Sequence, residues 1–336
     1  MSTAQAPRIP PKGVFVPVPT FFYPIADAPT AHNEPRVDIE TQVQHSIFLA
    51  ESGITGLVLL GSTGEAIHLT RQERFDLVEG VRGGLDAAGF PDYPIMAGVL
   101  TSGGIEDTLD WVHDYAKAGA QWALVLVPGY FGASASQEHL VQYFRIVADR
   151  SPVPVLVYNY PGVTNNVLVQ PETYVDLAAH RNIVGCKMSH GNVSHHVQVS
   201  LDPKIDHDQF RVYSGFGQQL GPIVLFGAAG VIDGMAAFYP KTVVRLMALA
   251  EKSFEGSEVN AETRAEIQRL QFVVSRAEEF VVRYGMIGIK EGVFRLTGLG
   301  TQEGGRLPIR GTLTDEVWEK ARGLFLGGIE ETEAKL

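Results

Sequence analysis

Short apolar segments alternate with longer amphipathic segments along most of this chain. Apolar runs of about five residues between turn residues are typical of buried strands, and apolar residues spaced three or four apart indicate helices. The predicted strands are Val14–Val18, Gly56–Leu60, Ile95–Val99, Ala123–Val127, Val155–Tyr158, Ile183–Lys187, Phe210–Ser214 and Gly230–Ile232. The predicted helices between and after them are Asp38–Ser52, Thr70–Gly83, Ile105–Ala118, Ser136–Asp149, Pro171–Ala179, Val193–Leu201, Gln218–Phe226 and Lys241–Lys252.

This succession of strand–helix units predicts a parallel sheet closed into a (β/α)8 TIM barrel, an α/β fold. The alternative is an open, doubly wound sheet. Such a sheet usually carries a glycine-rich phosphate loop after its first strand, and no such loop follows Val14–Val18. We predict an N-terminal tail over residues 1–12, the barrel over residues 13–252, and a C-terminal helical extension over residues 253–336. Because no long polar linker precedes the extension, we expect it to pack on the barrel.

Two further stretches complete the prediction. Residues Tyr23–Arg36 are expected to form a long loop after the first strand. The helices predicted in the extension are Glu262–Tyr284, Gly285–Thr297 and Thr314–Leu326.

Charge and composition exclude several classes of partner. The chain has 336 residues and a formal net charge of −11, which argues against nucleic acid and anionic membranes, because both need a basic surface. No segment approaches the roughly 18 uninterrupted apolar residues of a membrane span. The first residues also lack the basic and then apolar pattern of a secretory signal.

The single cysteine, Cys186, allows no intramolecular disulfide and indicates a reducing compartment, so we predict a cytoplasmic protein. Strand alternation places Cys186 on the opposite face from Lys187, where we expect a small buried side chain. The last residues, Ala334-Lys335-Leu336, resemble the Ser-Lys-Leu peroxisomal signal, although acidic residues precede them.

Lys187 ends a predicted buried strand, and this position admits two interpretations. The side chain could turn out to solvent, as charged residues generally do. Alternatively, it could stay in an apolar setting, where a pKa normally about 10.4 falls toward neutrality and the amine becomes able to attack a carbonyl group. The residues at the other strand ends decide between these interpretations.

In a barrel, catalytic groups lie where the strands end and the following loops begin. Those positions hold the segments Gly61–Glu65, Gly129–Phe131, Tyr158–Gly162 and Ser214–Gly217, together with Lys187. A lysine, tyrosines and a Ser-Thr pair at one rim suit Schiff-base chemistry. The amine attacks a keto group, a tyrosine moves protons, and hydroxyl and backbone N–H groups hold a carboxylate.

Each of these residues also has a structural interpretation. Tyr158 could be a core tyrosine with a satisfied hydroxyl, and Ser62 and Thr63 could cap a helix. Glu65 is expected to serve the loop or a helix dipole rather than the reaction. The histidines His190, His195 and His196 lack metal-ligand spacing, so we predict no metal site and expect structural or solvated side chains.

Three motifs, in order and on the expected strands, resemble the class I pyruvate-lyase barrels, the family of dihydrodipicolinate synthase and N-acetylneuraminate lyase. Gly61-Ser62-Thr63-Gly64-Glu65 resembles the family's Gly-Thr/Ser-Thr-Gly-Glu loop. Tyr158-Asn159-Tyr160-Pro161 resembles its Tyr-Asn-x-Pro segment, and Gly185-Cys186-Lys187 resembles its Gly-x-Lys strand. The resemblance extends from about Gly13 to Pro308.

The resemblance implies a role for each matching residue. Lys187 would form an imine with a 2-oxo acid, and Tyr158 would take the hydroxyl proton during carbon–carbon cleavage. Thr63 would hold the substrate carboxylate. Ser62 would link Tyr158 to Tyr130, which in the family comes from the neighbouring subunit, so a homodimer or homotetramer is implied. No cofactor is implied.

Further residues are expected to contact the substrate. Gly215 and Ile232 would line the pyruvate end of the site. His190, Asn165 and Asn166 are polar residues near the motifs that could contact hydroxyl groups on the aldehyde side.

Two differences from well-known members of the family restrict the choice of substrate. Dihydrodipicolinate synthases carry an arginine where this chain has Val163, and an apolar side chain cannot bind a carboxylate. N-acetylneuraminate lyases carry acidic residues just after the position of Gly215, and Gly215–Gln218 has none. The motifs are most similar to those of fungal 2-keto-3-deoxy-L-galactonate aldolases of D-galacturonate breakdown, which implies cleavage to pyruvate and L-glyceraldehyde.

Three alternatives remain at this point. One is a 4-hydroxy-2-oxoglutarate aldolase, which would release pyruvate and glyoxylate. The second is a catalytically silent relative that serves as a ligand-binding or structural oligomer, although Lys187 and Tyr158 are both present. The third is a metal-dependent aldolase.

Overall fold

The computed structural model describes residues 7–26, 34–100, 103–256, 260–303 and 305–336, and it forms a closed barrel of eight parallel strands. Each strand pairs with the next along the chain, and the last pairs with the first. The strands are β1 (Gly13–Pro17), β2 (Gly56–Leu59), β3 (Ile95–Val99), β4 (Trp122–Leu126), β5 (Val155–Asn159), β6 (Ile183–Met188), β7 (Arg211–Ser214) and β8 (Gly230–Ile232). The predicted (β/α)8 barrel is therefore confirmed.

Eight helices follow the strands and cover the outside of the barrel. They are α1 (Ile39–Glu51), α2 (Arg71–Ala87), α3 (Ile105–Lys117), α4 (Gln137–Arg150), α5 (Pro171–Ala178), α6 (Val193–Leu201), α7 (Leu220–Val224) and α8 (Pro240–Phe254). Helix α2 begins with the predicted capping box, in which the Thr70 hydroxyl accepts from the N–H of Glu73 and the Glu73 carboxylate accepts from the N–H of Thr70.

The main departure from the predicted helices lies between β7 and β8. The sequence predicts one helix over Gln218–Phe226, whereas α7 spans only five residues and follows a separate 3₁₀ turn, Gly217–Gln219. Pro222 has no N–H and is tolerated only in the first turn of a helix, so the α-helix cannot begin much before it. The turn keeps Gly217 close to the end of β7.

The chain beyond the barrel is helical, as predicted. Helix α9 (Ala261–Thr297) breaks at Gly285, whose φ of 55° and ψ of −141° are not helical, and this is the predicted boundary between two helices. Helix α10 (Asp315–Ala321) and a π-helical turn lead into α11 (Gly327–Glu333), which the sequence analysis missed. The carboxylate of Glu333 accepts from the N–H groups of Lys241 and Thr242, so α11 caps α8.

The predicted domain boundaries stay predictions. The division between barrel and extension at residue 252 falls within α8. Residues 1–6 of the tail and residues 27–33 of the predicted Tyr23–Arg36 loop lie outside the described residues. The described part of the tail is bound to the barrel, since the carbonyls of Arg8 and Pro11 accept from the side chains of Trp122 and Tyr213. In the described part of the chain, no helix has the length and apolar character needed to cross a membrane.

Candidate active site

The side chain of Lys187 stays inside the barrel. Lys187 is 5% exposed, and its Nζ lies 4.6 Å from the ring centroid of Tyr158. Burial lowers the pKa of the amine to about 7, and the negative charge of Asp233 opposes this shift only in part. Of the two interpretations left open by the sequence, the structure therefore supports the desolvated amine. A substantial fraction of the amine is uncharged at neutral pH.

Strand register explains why Lys187 and Tyr158 meet. The two residues are directly paired in the parallel ladder between β5 and β6. Paired residues on neighbouring strands point to the same face of the sheet, and here this face is the interior of the barrel. Cys186, one residue earlier, is buried, as predicted, and burial raises the pKa of its thiol well above the ordinary value.

Tyr158 is buried, and its hydroxyl is within hydrogen-bonding distance of another side-chain hydroxyl. The hydroxyl lies 3.3 Å from Oγ of Ser62, and the ring stacks on that of Tyr160 with centroids 6.2 Å apart. Burial raises the pKa of Tyr158 to about 12, while the hydrogen bond to Ser62 acts in the opposite direction. Tyr158 therefore carries its proton at neutral pH and has a hydroxyl neighbour to which the proton can pass.

The loop that carries Ser62 and Thr63 is held from two sides. Thr20 donates a hydrogen bond of 2.6 Å to the carbonyl of Gly64. Glu65 adopts a left-handed backbone with φ of 52°, and its buried carboxylate forms an ion pair with Lys290 of α9. Glu65 thus serves the loop, as the sequence analysis expected.

A cavity of about 460 Å³ opens above Lys187 and Tyr158. It brings together six of the predicted site residues, namely Lys187, Tyr158, Ser62, Thr63, Gly215 and Ile232. Other lining residues include Tyr160, Val163, Ser189, Phe216, Gln218 and Glu278. The volume is sufficient for a small organic acid.

Four predicted residues do not line this cavity. Tyr130 and Asn165 line a neighbouring cavity of about 670 Å³, which shares Ser62 and Val163 with the first. The amide of Asn165 donates to the carbonyls of Gly129 and Tyr130, both at 2.9 Å, so it holds the Tyr130 loop. Tyr130 is 73% exposed in the single chain.

The other two residues, Asn166 and His190, lie outside both cavities. Asn166 is exposed in a left-handed turn with φ of 62°. The ring of His190 packs 4.9 Å from that of His196, and burial lowers the pKa of His190 to about 4. Within the ranges that the structure describes, no group of three or more His, Cys, Asp or Glu side chains could hold a metal ion.

Sequence reasoning missed two carboxyl groups close to the lysine. Asp233 follows β8 directly, and its carboxylate accepts from the N–H groups of Met235 and Ala236. Glu278 lies in the middle of α9 and lines the cavity. A polar residue at a strand end could have indicated Asp233, but nothing in the helical pattern around Glu278 marks it as a site residue.

Together, these groups can form an imine with a keto acid and move protons beside it. A buried amine with a pKa near 7 is a nucleophile at neutral pH, and the adjacent phenol and hydroxyl provide a proton path. A closed (β/α)8 barrel with a buried lysine of lowered pKa at its strand ends is typical of enzymes that form imines with carbonyl substrates.

Comparison with known proteins identifies the family. The model of the dihydrodipicolinate synthetase family matches residues 27–323, so this chain belongs to that family. An L-threo-3-deoxy-hexylosonate aldolase of Hypocrea jecorina is 33% identical over 301 residues, which cover 88% of this chain and 90% of the relative. A protein of Emericella nidulans named "Probable 4-hydroxy-2-oxoglutarate aldolase, mitochondrial" is 33% identical over 299 residues, 89% of each chain.

Solved structures agree with this assignment. A dihydrodipicolinate synthase family protein from Coccidioides immitis superposes with a TM-score of 0.80 at 26% identity, covering 98% of this chain and 99% of the other. A prophage protein of this family from E. coli K12, solved in complex with pyruvate, has a TM-score of 0.76 at 26% identity and covers 95% and 98% of the two chains.

Proposed function

We propose that this protein is a Schiff-base (class I) aldolase that cleaves 2-keto-3-deoxy-L-galactonate (L-threo-3-deoxy-hexulosonate) reversibly to pyruvate and L-glyceraldehyde in D-galacturonate catabolism. The observation that carries the proposal is the buried, unpaired amine of Lys187 beside the phenol of Tyr158 in an open cavity. The names of the relatives from Hypocrea jecorina and Aspergillus niger support the choice of substrate.

In the proposed reaction, neutral Lys187 attacks the C2 keto group, and loss of water gives an imine. The water that leaves takes its second proton from Tyr158, so the imine is protonated and Tyr158 becomes a phenolate beside the Ser62 hydroxyl. This phenolate takes the proton of the C4 hydroxyl while the bond between C3 and C4 breaks. The electron pair of that bond enters the imine to form an enamine, and L-glyceraldehyde leaves. Protonation of the enamine at C3 and hydrolysis of the imine release pyruvate and restore Lys187.

Binding of the pyruvate part would use the loop after β2 and the ends of β7 and β8. We assign the substrate carboxylate to Thr63 and its backbone N–H. Gly215 and Ile232 line the cavity close to Lys187, where the methylene carbon of the imine would lie. Val163 lines the same cavity and offers no charge for a second carboxylate.

Tyr130 is assigned to the site of a neighbouring subunit. Its ring and that of Phe131 are largely exposed, at 73% and 79%, although large aromatic side chains are usually buried. In a homodimer, the Tyr130 hydroxyl would approach the partner's Ser62 and extend the proton path. Sedimentation would show whether Tyr130→Phe keeps the oligomer of the wild type, and an assay of pyruvate release would show whether it loses activity. Both results are expected.

The roles of Asn165, Asn166 and His190 in binding hydroxyl groups stay predictions. Asn165 holds the Tyr130 loop through two hydrogen bonds, so its contribution in this single chain is to position that loop.

A cleavage assay tests the proposal most directly. Pyruvate release would be measured over a panel of 2-keto-3-deoxy sugar acids and 4-hydroxy-2-oxoglutarate, with borohydride trapping of pyruvate on Lys187 in parallel. The 2-keto-3-deoxy-L-galactonate reaction should have the highest kcat/KM. Failure to trap pyruvate on a folded sample would favour a catalytically silent oligomer, and loss of activity with a chelator would favour a metal-dependent aldolase.

The second candidate is a 4-hydroxy-2-oxoglutarate aldolase. The relative from Emericella nidulans bears that name at the same 33% identity. This substrate would leave glyoxylate, whose carboxylate needs a positive partner, and the cavity-lining residues include no arginine. The substrate panel above separates the two candidates.

We propose a cytoplasmic location, with no cofactor and no nucleic-acid or membrane partner. The name of the Emericella nidulans relative includes "mitochondrial", and the end of this chain, Ala334-Lys335-Leu336, resembles a peroxisomal signal. Microscopy of the chain fused to a fluorescent protein at its N-terminus, compared with a fusion at its C-terminus, distinguishes the three compartments.

A further inference from the structure

A carboxyl group from outside the barrel enters the cavity above Lys187. Glu278 belongs to α9, is only 4% exposed, and lines the cavity. Its Oε1 lies against Gly217 and Asp233, which both interact with the carboxyl, but it makes no hydrogen bond of regular geometry within the described residues. A buried acceptor without such a hydrogen bond is unfavourable for the free energy of folding, so the position calls for an explanation other than stability.

The carboxyl groups of Asp233 and Glu278 both lie next to Gly217. A Cβ atom built on Gly217 would be 2.6 Å from Oε1 of Glu278 and 3.1 Å from Oδ2 of Asp233. The two carboxyl oxygens therefore occupy the space that a side chain at residue 217 would fill. Asp233 also accepts from the N–H groups of Met235 and Ala236, which fixes its carboxylate in place.

The pair is expected to hold one proton. Burial and the adjacent Asp233 raise the pKa of Glu278 well above its ordinary value, which favours the protonated form of Glu278. A protonated Glu278 can donate to the carboxylate of Asp233 and still offer an oxygen to the cavity as an acceptor. One negative charge then remains next to the cavity wall.

We propose that Glu278, positioned by Asp233, binds a hydroxyl group on the aldehyde half of the substrate and makes the cavity selective for neutral, hydroxylated aldehydes. This inference rests on the proposed aldolase function. A substrate hydroxyl that donates to the Glu278 carboxyl would add a hydrogen bond to this buried group. A second carboxylate at the same place would meet the negative charge of Asp233, and apart from Lys187, which the imine occupies, the lining residues include no lysine or arginine.

The test compares two substrates in one variant. Glu278→Met keeps the approximate length of the side chain and removes its oxygens. We expect kcat/KM for 2-keto-3-deoxy-L-galactonate to fall about 10- to 100-fold, since one buried hydrogen bond is lost, while kcat/KM for 4-hydroxy-2-oxoglutarate stays within about threefold. Most of the loss should appear in KM, because a hydroxyl that takes no part in bond cleavage is bound equally in the ground state and the transition state.

Two further variants separate recognition from packing. Glu278→Gln keeps both a donor for Asp233 and an acceptor for the cavity, so it should restore the ratio of the two kcat/KM values to within about threefold of wild type. Glu279→Met makes the same change at the exposed neighbouring residue and should leave both values unchanged. If Glu278→Met does not fold, Glu278→Asp replaces it, because the shorter carboxyl should lower the same ratio.

The outcomes keep this inference distinct from the proposed function. If pyruvate cannot be trapped on Lys187 in the wild type, the aldolase assignment fails. If pyruvate is trapped normally in Glu278→Met, and the ratio of kcat/KM values is unchanged or both values fall equally, the hydroxyl-binding role of Glu278 is wrong while the aldolase assignment stands.

Discussion

Two buried lysines in this protein have opposite surroundings. Lys290, on α9, forms an ion pair with the buried carboxylate of Glu65, whereas the Nζ of Lys187, on β6, lies over the ring of Tyr158 and forms no ion pair within the described residues. Burial lowers the pKa of both amines, but direct contact with Glu65 opposes the shift at Lys290. The paired lysine holds the loop of Ser62 and Thr63 in place, and the unpaired one is available for chemistry.

Buried lysines can thus contribute to stability or to reactivity in the same fold, depending on whether a carboxylate is in contact. Removing one partner from a buried ion pair leaves an uncompensated charge, so Lys290 should matter mainly for stability. A lone buried amine makes no such contribution, so Lys187 should matter mainly for reactivity. Four experiments test this difference between Lys187 and Lys290.

Replacing Lys187 by alanine should abolish turnover. We expect kcat to fall at least about 10⁴-fold, because no other amine in the cavity can form the imine. The fold should stay intact, since the pairing of β6 with its neighbours is made by backbone groups that the substitution does not change. Aldolase activity that survives in Lys187→Ala would contradict the assignment of this residue as the imine-forming group.

Replacing Tyr158 by phenylalanine should slow the reaction while leaving imine formation detectable. A correctly placed proton donor and acceptor contributes about 10²–10⁴-fold, so kcat should fall by that factor. Borohydride trapping should still label Lys187. The role assigned to the phenol is wrong if Tyr158→Phe keeps a rate close to that of wild type.

Breaking the other pair should affect stability before chemistry. Lys290→Met leaves the carboxylate of Glu65 buried without its partner, and we expect the free energy of unfolding to fall by about 3–5 kcal/mol. Chemical denaturation measures this, and Lys290→Met with Glu65→Gln should recover part of the loss. A Lys290→Met variant as stable as wild type would show that the two buried lysines do not differ as we argue.

The pH dependence provides the finest test. The pKa of Lys187 is lowered to about 7, and only the neutral amine attacks a keto group. The rate of pyruvate trapping should therefore be constant above pH 7 and fall about tenfold per unit of pH below it. A rate that continues to rise to pH 10 would indicate a lysine with an ordinary pKa. Lys290→Met should leave the position of this transition unchanged.

Much of the site could be predicted because it is local to strand ends. Strand alternation fixes which face each side chain takes, so Lys187 and Tyr158 point into the barrel once both strands are recognised. The loop motif adds Ser62 and Thr63 in the same way. All four lie around one cavity, as expected.

The aldehyde side of the site could not be predicted in this way. The segment Gly215–Gln218 contains no carboxylate, whereas N-acetylneuraminate lyases carry acidic residues at this place. In the structure, however, the carboxyl of Glu278 lies against Gly217, from a helix distant in sequence. The helical pattern around Glu278 shows only that α9 packs on something, not which of its residues meets a cavity.

The amino-acid sequence was enough to predict the eight strand–helix repeats and the strand ends that carry Lys187 and Tyr158, because periodicity and strand alternation are properties of neighbouring residues. The pairing of Lys290 with Glu65 could be seen only in the folded structure. The same is true of the position of Glu278 at the cavity. Those outcomes depend on contacts between residues far apart in the chain, and burial, which sets the pKa of each amine, exists only once those contacts form.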